Sequence, residues 1–162
     1  MDNKELEQHK KFLDIAINLA KENMLAGKGG PFGAVIVKDG EIVAQGFNQV
    51  TTANDPTCHA EVDAIRKACQ KVNNFELNDC IIYSSCEPCP MCLGAIYWAR
   101  PKALIFAADK HTAAKHGFDD KFIYDEIALP YEKRSIKTMV VKTDNFEEPF
   151  NLWDKKENKV EY

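Results

Sequence analysis

Residues 86–92, CEPCPMC, put three cysteines into seven positions, and residues 58–61, CHAE, set an imidazole two positions before a carboxylate. A thiol cluster of this kind serves a disulfide, a redox dithiol, a structural metal knot or half of a catalytic metal site. A borderline-soft cation such as zinc takes imidazole and thiolate together. His59, Cys89 and Cys92 make three ligands, and three protein ligands leave a fourth position for water, the mark of a catalytic rather than a structural zinc. Glu61 then has a task, because a carboxylate beside the metal can take water's proton and deliver it to a substrate. A fourth ligand, Cys86 or Cys58, would instead make a structural zinc module, and Glu61 would have no role in it. Cys86 lies upstream of the helix entry that presents the other two sulfurs and is expected to bind no metal.

Two helix starts must hold these groups together. Pro90 stands where a first helical residue belongs and opens a helix through Ala99. Thr57 is placed to cap a helix from about Cys58 to Lys71. Helix N-termini favour negative charge and so help hold cysteines as thiolates. His59 and Glu61, two apart, do not share a helix face. A metal sitting off the helix end still lets the first turn present both.

Around these starts, Phe12, Leu13, Ala16, Ile17, Ala20 and Met24 recur at helical spacing and predict an amphipathic first helix. FGAVIVKDGEIVAQGFN (32–48) reads as a hairpin turning at Asp39-Gly40. CIIYSS (80–85) and ALIFAA (103–108) read as buried strands, and TMVVKT (138–143) as a last strand. The alternation predicts a three-layer α/β/α domain with a mixed sheet of about five strands, an antiparallel hairpin first and parallel pairing after it. His9, His111 and His116 read as surface residues, and Cys58, Cys69 and Cys80 as small core fillers.

The chain is 162 residues long, 45% apolar and 28% charged, which is ordinary for one globular domain. No apolar run approaches the ~18 residues of a membrane span, and the charged first twenty residues lack a signal-peptide core. A cytoplasmic address is the expectation, and in reducing cytosol clustered cysteines mean metal or catalysis more often than disulfides. A net charge of −4 without a basic face favours a small molecule over nucleic acid as partner. His-x-Glu joined with Pro-Cys-x-x-Cys is the signature of the zinc-dependent nucleobase deaminases.

GGPFGAVIV and GFN, with CHAE and EPCPMC, resemble the cytidine-deaminase-like superfamily. NDPTCHAEVDAIRKAC, SSCEPCPMCLGAIYWARPKA, GFDD and the final Glu-Tyr resemble, within it, the bacterial guanine deaminases. The likeness runs from about Phe12 to Tyr162. It implies hydrolytic deamination of guanine to xanthine and ammonia, with one Zn2+ per subunit and Glu61 as proton shuttle. It also implies that Asn48 orients the base, Phe32 stacks on it, and Ala60 offers its backbone N–H to the substrate carbonyl. Asp120 corresponds to a second acid near the leaving amine, with Asp119 beside it as the alternative. Trp98 is either a pocket wall or core packing. The resemblance further implies a homodimer in which a C-terminal segment, 144–162, is exchanged and Tyr162 closes the partner's site. From composition alone, 154–162 would be a solvated end. The alternatives are a tRNA adenosine deaminase, a cytosine, cytidine or nucleotide deaminase of the same superfamily, and the structural zinc module.

Overall fold

The structure, a computed structural model, describes residues 2–162 and divides into two compact units, the first ending at Phe122 and the second Ile123–Tyr162. In the first unit, helix α1 (Asn3–Leu25) starts at Asp2, whose carboxylate accepts from the Glu5 N–H at 2.7 Å. The hairpin β1 (Gly33–Lys38) and β2 (Glu41–Phe47) follows. Its turn residues Asp39 and Gly40 have φ of 50° and 81°, the left-handed pair that a two-residue hairpin needs. After a single turn, α2 (Val50–Ala53), come α3 (Ala60–Val72), β3 (Cys80–Cys86), α4 (Pro90–Ala99), β4 (Ala103–Ala108) and α5 (Lys110–Lys115). Helix α6 spans Lys121–Ala128 and α7 spans Glu148–Asp154, with one 3-10 turn at Tyr131–Lys133 between them.

Four strands form one sheet in the order β2-β1-β3-β4. Strand β1 pairs antiparallel with both β2 and β3, and β3 pairs parallel with β4 through the α4 crossover. The parallel pairing expected after the hairpin therefore begins one strand later than the sequence suggests. Alternation along the strands sorts side chains to two faces. Val35, Val37 and Tyr83 meet Phe12 and Ala16 of α1 on one face. Ala34, Ile36 and Ile82 meet Ala60, Ala64 and Ala68 of α3 with Ile96 and Ala99 of α4 on the other. Helices thus cover both faces, which is the three-layer architecture of the sequence reading. Burial of a side chain such as Phe12 contributes about 1.5–3 kcal/mol, so the sheet that carries the site is held from both sides.

Three expectations need correction. The sheet has four strands, because residues 138–143 form none. A strand requires a ladder partner, and the second unit contains no other strand. Thr57 does not cap α3. Its N–H and hydroxyl both donate to Asp55 Oδ1 at 2.8 Å, a local turn that takes the hydroxyl out of use, and His59 occupies the cap position instead. His9 is not a plain surface residue: its ring nitrogen Nδ1 lies 2.9 Å from the hydroxyl of buried Tyr83, tying α1 to β3.

Candidate active site

Helices α3 and α4 begin in the same manner, with a chemically active residue at the N-cap. His59 and Cys89 hold extended backbone angles there, and neither side chain caps its helix. Ser, Thr, Asp or Asn at these positions would be more stabilising, by about 0.5–2 kcal/mol. The side chains are left free to converge. His59 Nδ1 lies 3.5 Å from Cys89 Sγ and 3.5 Å from Cys92 Sγ, and the three ligand atoms all fall within 4.8 Å of one another. Around a tetrahedral zinc with ordinary bond lengths, a nitrogen and a sulfur ligand stand about 3.6 Å apart. The donor set and its spacing therefore fit zinc. Cys86 is not in the cluster; its thiol points to the Asp109 carbonyl at 3.8 Å. Burial pushes that thiol up to about 11, which keeps it protonated and unreactive.

The electrostatics agree with a ligand set. Hydrogen bonding from the Cys92 thiol, with help from His59, draws Cys89 down to about 4, so this sulfur is a thiolate. Cys92 is pushed up by its bond to that thiolate, so the two sulfurs share one proton until a cation takes its place. His59 is raised by its hydrogen bond to Cys89.

Glu61 sits in the first turn of α3 and is 5% exposed. Burial raises its carboxyl, opposed by its own backbone N–H and by the Ser84 hydroxyl. Ser84 Oγ donates to Glu61 Oε1 at 2.9 Å. The fit of β2 against this turn depends on Gly46: a Cβ there would stand 2.2 Å from the Ala60 carbonyl oxygen and 2.5 Å from the Ala64 nitrogen. Ala60 is fully buried, and as the first residue of α3 its N–H has no acceptor within the helix.

Asn48, 7% exposed, follows β2. Its Oδ1 accepts from the N–H groups of Gly30 at 3.1 Å and Val50 at 3.3 Å, so the amide is oriented with its NH2 end remaining to act as a donor. Gly29 makes room for this loop, since a Cβ there would come within 2.0 Å of the Asn48 carbonyl oxygen. Asp63 fastens the same segment to α3: its Oδ2 accepts from Gln49 at 3.2 Å, Lys67 at 2.7 Å and the Phe47 N–H at 3.4 Å.

Phe32 packs on the α3 face of the core and meets Phe118 edge-on, ring centres 4.9 Å apart at 89°. Both rings line an apolar groove of about 540 Å3 that also includes Met24, Ser85, Cys86 and His116. The two acids of GFDD separate. Asp119 Oδ1 accepts from the Lys121 N–H at 3.0 Å in an exposed turn. Asp120 is half-buried, raised by that burial and by the Cys89 thiolate, and its charge also acts on His59.

Trp98 is 62% exposed, which removes core packing as its explanation. Tyr162 belongs to the second unit and is 72% exposed. Sequence reasoning missed Ser84, Asp63 and Phe118. Only Ser84 had a usable signal, the alternation Ile82, Ser84, Cys86 along a strand whose inward positions face α3.

The profile of the cytidine and deoxycytidylate deaminase zinc-binding region matches residues 6–108. The chain belongs to that family. It is 59% identical over 154 residues to guanine deaminase of Bacillus subtilis (strain 168), covering 95% of this chain and 99% of that protein. The X-ray structure of a Bacillus subtilis guanine deaminase superposes with a TM-score of 0.94 at 59% identity, over 95% of this chain and 98% of that one. A tRNA-specific adenosine deaminase of Aquifex aeolicus is 43% identical over 107 residues, 65% of this chain and 68% of that protein. A crystal structure of NE0047 in complex with 2,6-diaminopurine superposes with a TM-score of 0.65 at 31% identity, over 67% of this chain and 61% of that chain.

Proposed function

We propose that the chain is a zinc-dependent guanine deaminase, converting guanine and water to xanthine and ammonia. The observation that carries the reading is the buried carboxylate of Glu61 beside three convergent ligands, in a chain similar over nearly its whole length to a guanine deaminase. A zinc ion held by His59, Cys89 and Cys92 supplies a nucleophilic oxygen from water at neutral pH and a fixed positive charge.

The chain's own residues do the rest. Glu61 takes a proton from water and delivers it to a ring nitrogen of the base, then passes the second proton to the amine as the C2–N bond breaks and a C2–O bond replaces it. A carboxyl raised by burial suits that alternation between acceptor and donor. Asn48 offers N–H donors to an acceptor on the purine edge, and the Ala60 N–H offers a further donor to the substrate carbonyl. Phe32 stacks on the base, held in orientation by Phe118. Asp120, rather than Asp119, serves the leaving amine, since Asp119 is engaged in its own turn. Trp98 and Tyr162 remain assigned to the substrate pocket of an assembled dimer, where exposure in the single chain would be relieved.

The working form is a homodimer that exchanges residues 144–162, with Tyr162 closing the partner's site. In support, the second unit carries apolar side chains that a single chain leaves in water, among them Phe150 at 71% and Leu152 at 59% exposed. We place the enzyme in the cytoplasm, where six unpaired cysteines are stable. Among the described residues no helix is long and apolar enough to cross a membrane.

The test is ammonia release from guanine, adenine, cytosine, cytidine, dCMP and tRNA by the zinc-loaded protein. Guanine is expected to be turned over best. Turnover confined to cytidine or tRNA would overturn the assignment, and zinc held by four protein ligands with no turnover would favour a structural module.

A further inference from the structure

Ser84 and Glu61, 23 residues apart in the chain, meet in the buried interior. Ser84 occupies an inward position of β3, two residues from Ile82 on the face packed against α3, and is 2% exposed. Its neighbours there, Ile82 along the strand and Ala34 across the ladder, are apolar core residues. Its hydroxyl instead donates to Glu61 Oε1 at 2.9 Å. The next residue, Ser85, points the other way and accepts from the Gly33 N–H at 3.0 Å, so the two adjacent serines serve opposite faces of the sheet. The Ser84–Glu61 contact joins β3 to the first turn of α3 across 23 residues of sequence, both side chains buried.

We propose that Ser84 is a positioning residue that fixes the carboxylate plane of Glu61, holding Oε1 so that Oε2 faces the reacting water and base; this rests on the reading of Glu61 as the proton shuttle. The hydroxyl suits the role because it can donate to a carboxylate and accept from a carboxylic acid, following both protonation states of its partner. Its position is set by the β3 ladder, where Ser84 pairs with Ala34 on one side and Phe106 on the other, so the donor is rigid. A rigid neighbour matters because a displacement of about 1 Å at a reacting group costs about a hundredfold in rate.

The experiment compares Ser84→Ala, Ser84→Thr and Glu61→Gln in the zinc-loaded enzyme with guanine. Ser84→Ala is expected to lower kcat about tenfold with KM nearly unchanged, with zinc content and melting temperature close to the parent's. Ser84→Thr, which keeps the hydroxyl, is expected to restore most of the rate. In the double variant Ser84→Ala with Glu61→Gln, the serine change should cause no loss beyond that of Glu61→Gln alone. A normal kcat in Ser84→Ala, or equal losses in the Ala and Thr variants, overturns the positioning role. An additive loss in the double variant overturns it as well. If Glu61→Gln itself turns over guanine normally, the shuttle reading has failed, a result distinct from a Ser84 failure. A fall in zinc content or a rise in KM without change in kcat would assign Ser84 to metal retention or base binding and overturn the proposal.

Discussion

In the first unit Val35, Ile36 and Ile82 are fully buried in a sheet covered on both faces, whereas in the second Ile136, Val140 and Val141 are 78%, 68% and 79% exposed. These are the same kinds of side chain, all β-branched and all suited to strands. The first unit gives them a ladder and two helical layers. The second gives them neither, since residues 138–143 have a strand's composition and no strand within their unit to pair with. The difference separates what one chain finishes on its own from what it leaves open. The ligand cluster falls wholly in the finished part.

The largest expected effect lies in that finished part. Cys89→Ala removes the sulfur held as a thiolate at about 4, and is expected to drop zinc well below one per chain and turnover to background. Metal analysis with the ammonia assay checks this. Cys86→Ala serves as the contrast, since its thiol faces the Asp109 carbonyl and stays protonated; zinc and turnover should persist. Loss of zinc in the Cys86 variant and its retention in the Cys89 variant would reverse the ligand assignment.

The next effect tests the open part. Deleting residues 157–162, Tyr162 included, is expected to lower guanine turnover about tenfold or more by exposing the site to water, while zinc content stays at one per chain. Steady-state kinetics on the truncated enzyme, with metal analysis alongside, measures it. Near-parental kinetics would break the proposed closure of the site by the tail and leave the second unit without a catalytic part.

How much of this was legible beforehand follows the same division. The start of α4 is legible because Pro90 is a local signal, and the structure opens α4 there, whereas α3 opens at Ala60, two residues after the Cys58 start that a Thr57 cap predicts. The hairpin was legible from Asp39-Gly40 for the same reason. Thr57 was misread because a nearer acceptor, Asp55, competes for its hydroxyl, and a capping rule that looks only forward cannot see it. Residues 138–143 were misread because composition reports that a segment suits a ladder and says nothing about whether one is offered. Ser84 and Asp63 act across 23 and 14–16 residues, and contacts at that range follow from strand order rather than from any motif.

The smallest effects come from changes of one or two methyl groups, one change in each unit. Gly46→Ala adds one carbon 2.2 Å from the Ala60 carbonyl oxygen, between β2 and the turn that carries His59 and Glu61. Backbone must move to admit it, at a cost of about 1–3 kcal/mol, seen as a melting temperature lower by several degrees with turnover reduced only a few-fold. Val141→Ala removes two methyl groups from a side chain that is 79% exposed, and in dilute protein should change stability by no more than about 0.5 kcal/mol. Thermal melting across a range of protein concentrations sharpens the comparison. If the second unit is completed by a partner chain, the cost of Val141→Ala grows with concentration as that surface becomes buried, because association stabilises only the form that binds. A cost that stays near zero at every concentration would mean that Val141 faces water in the working enzyme, and would count against completion of the second unit by a partner at this surface.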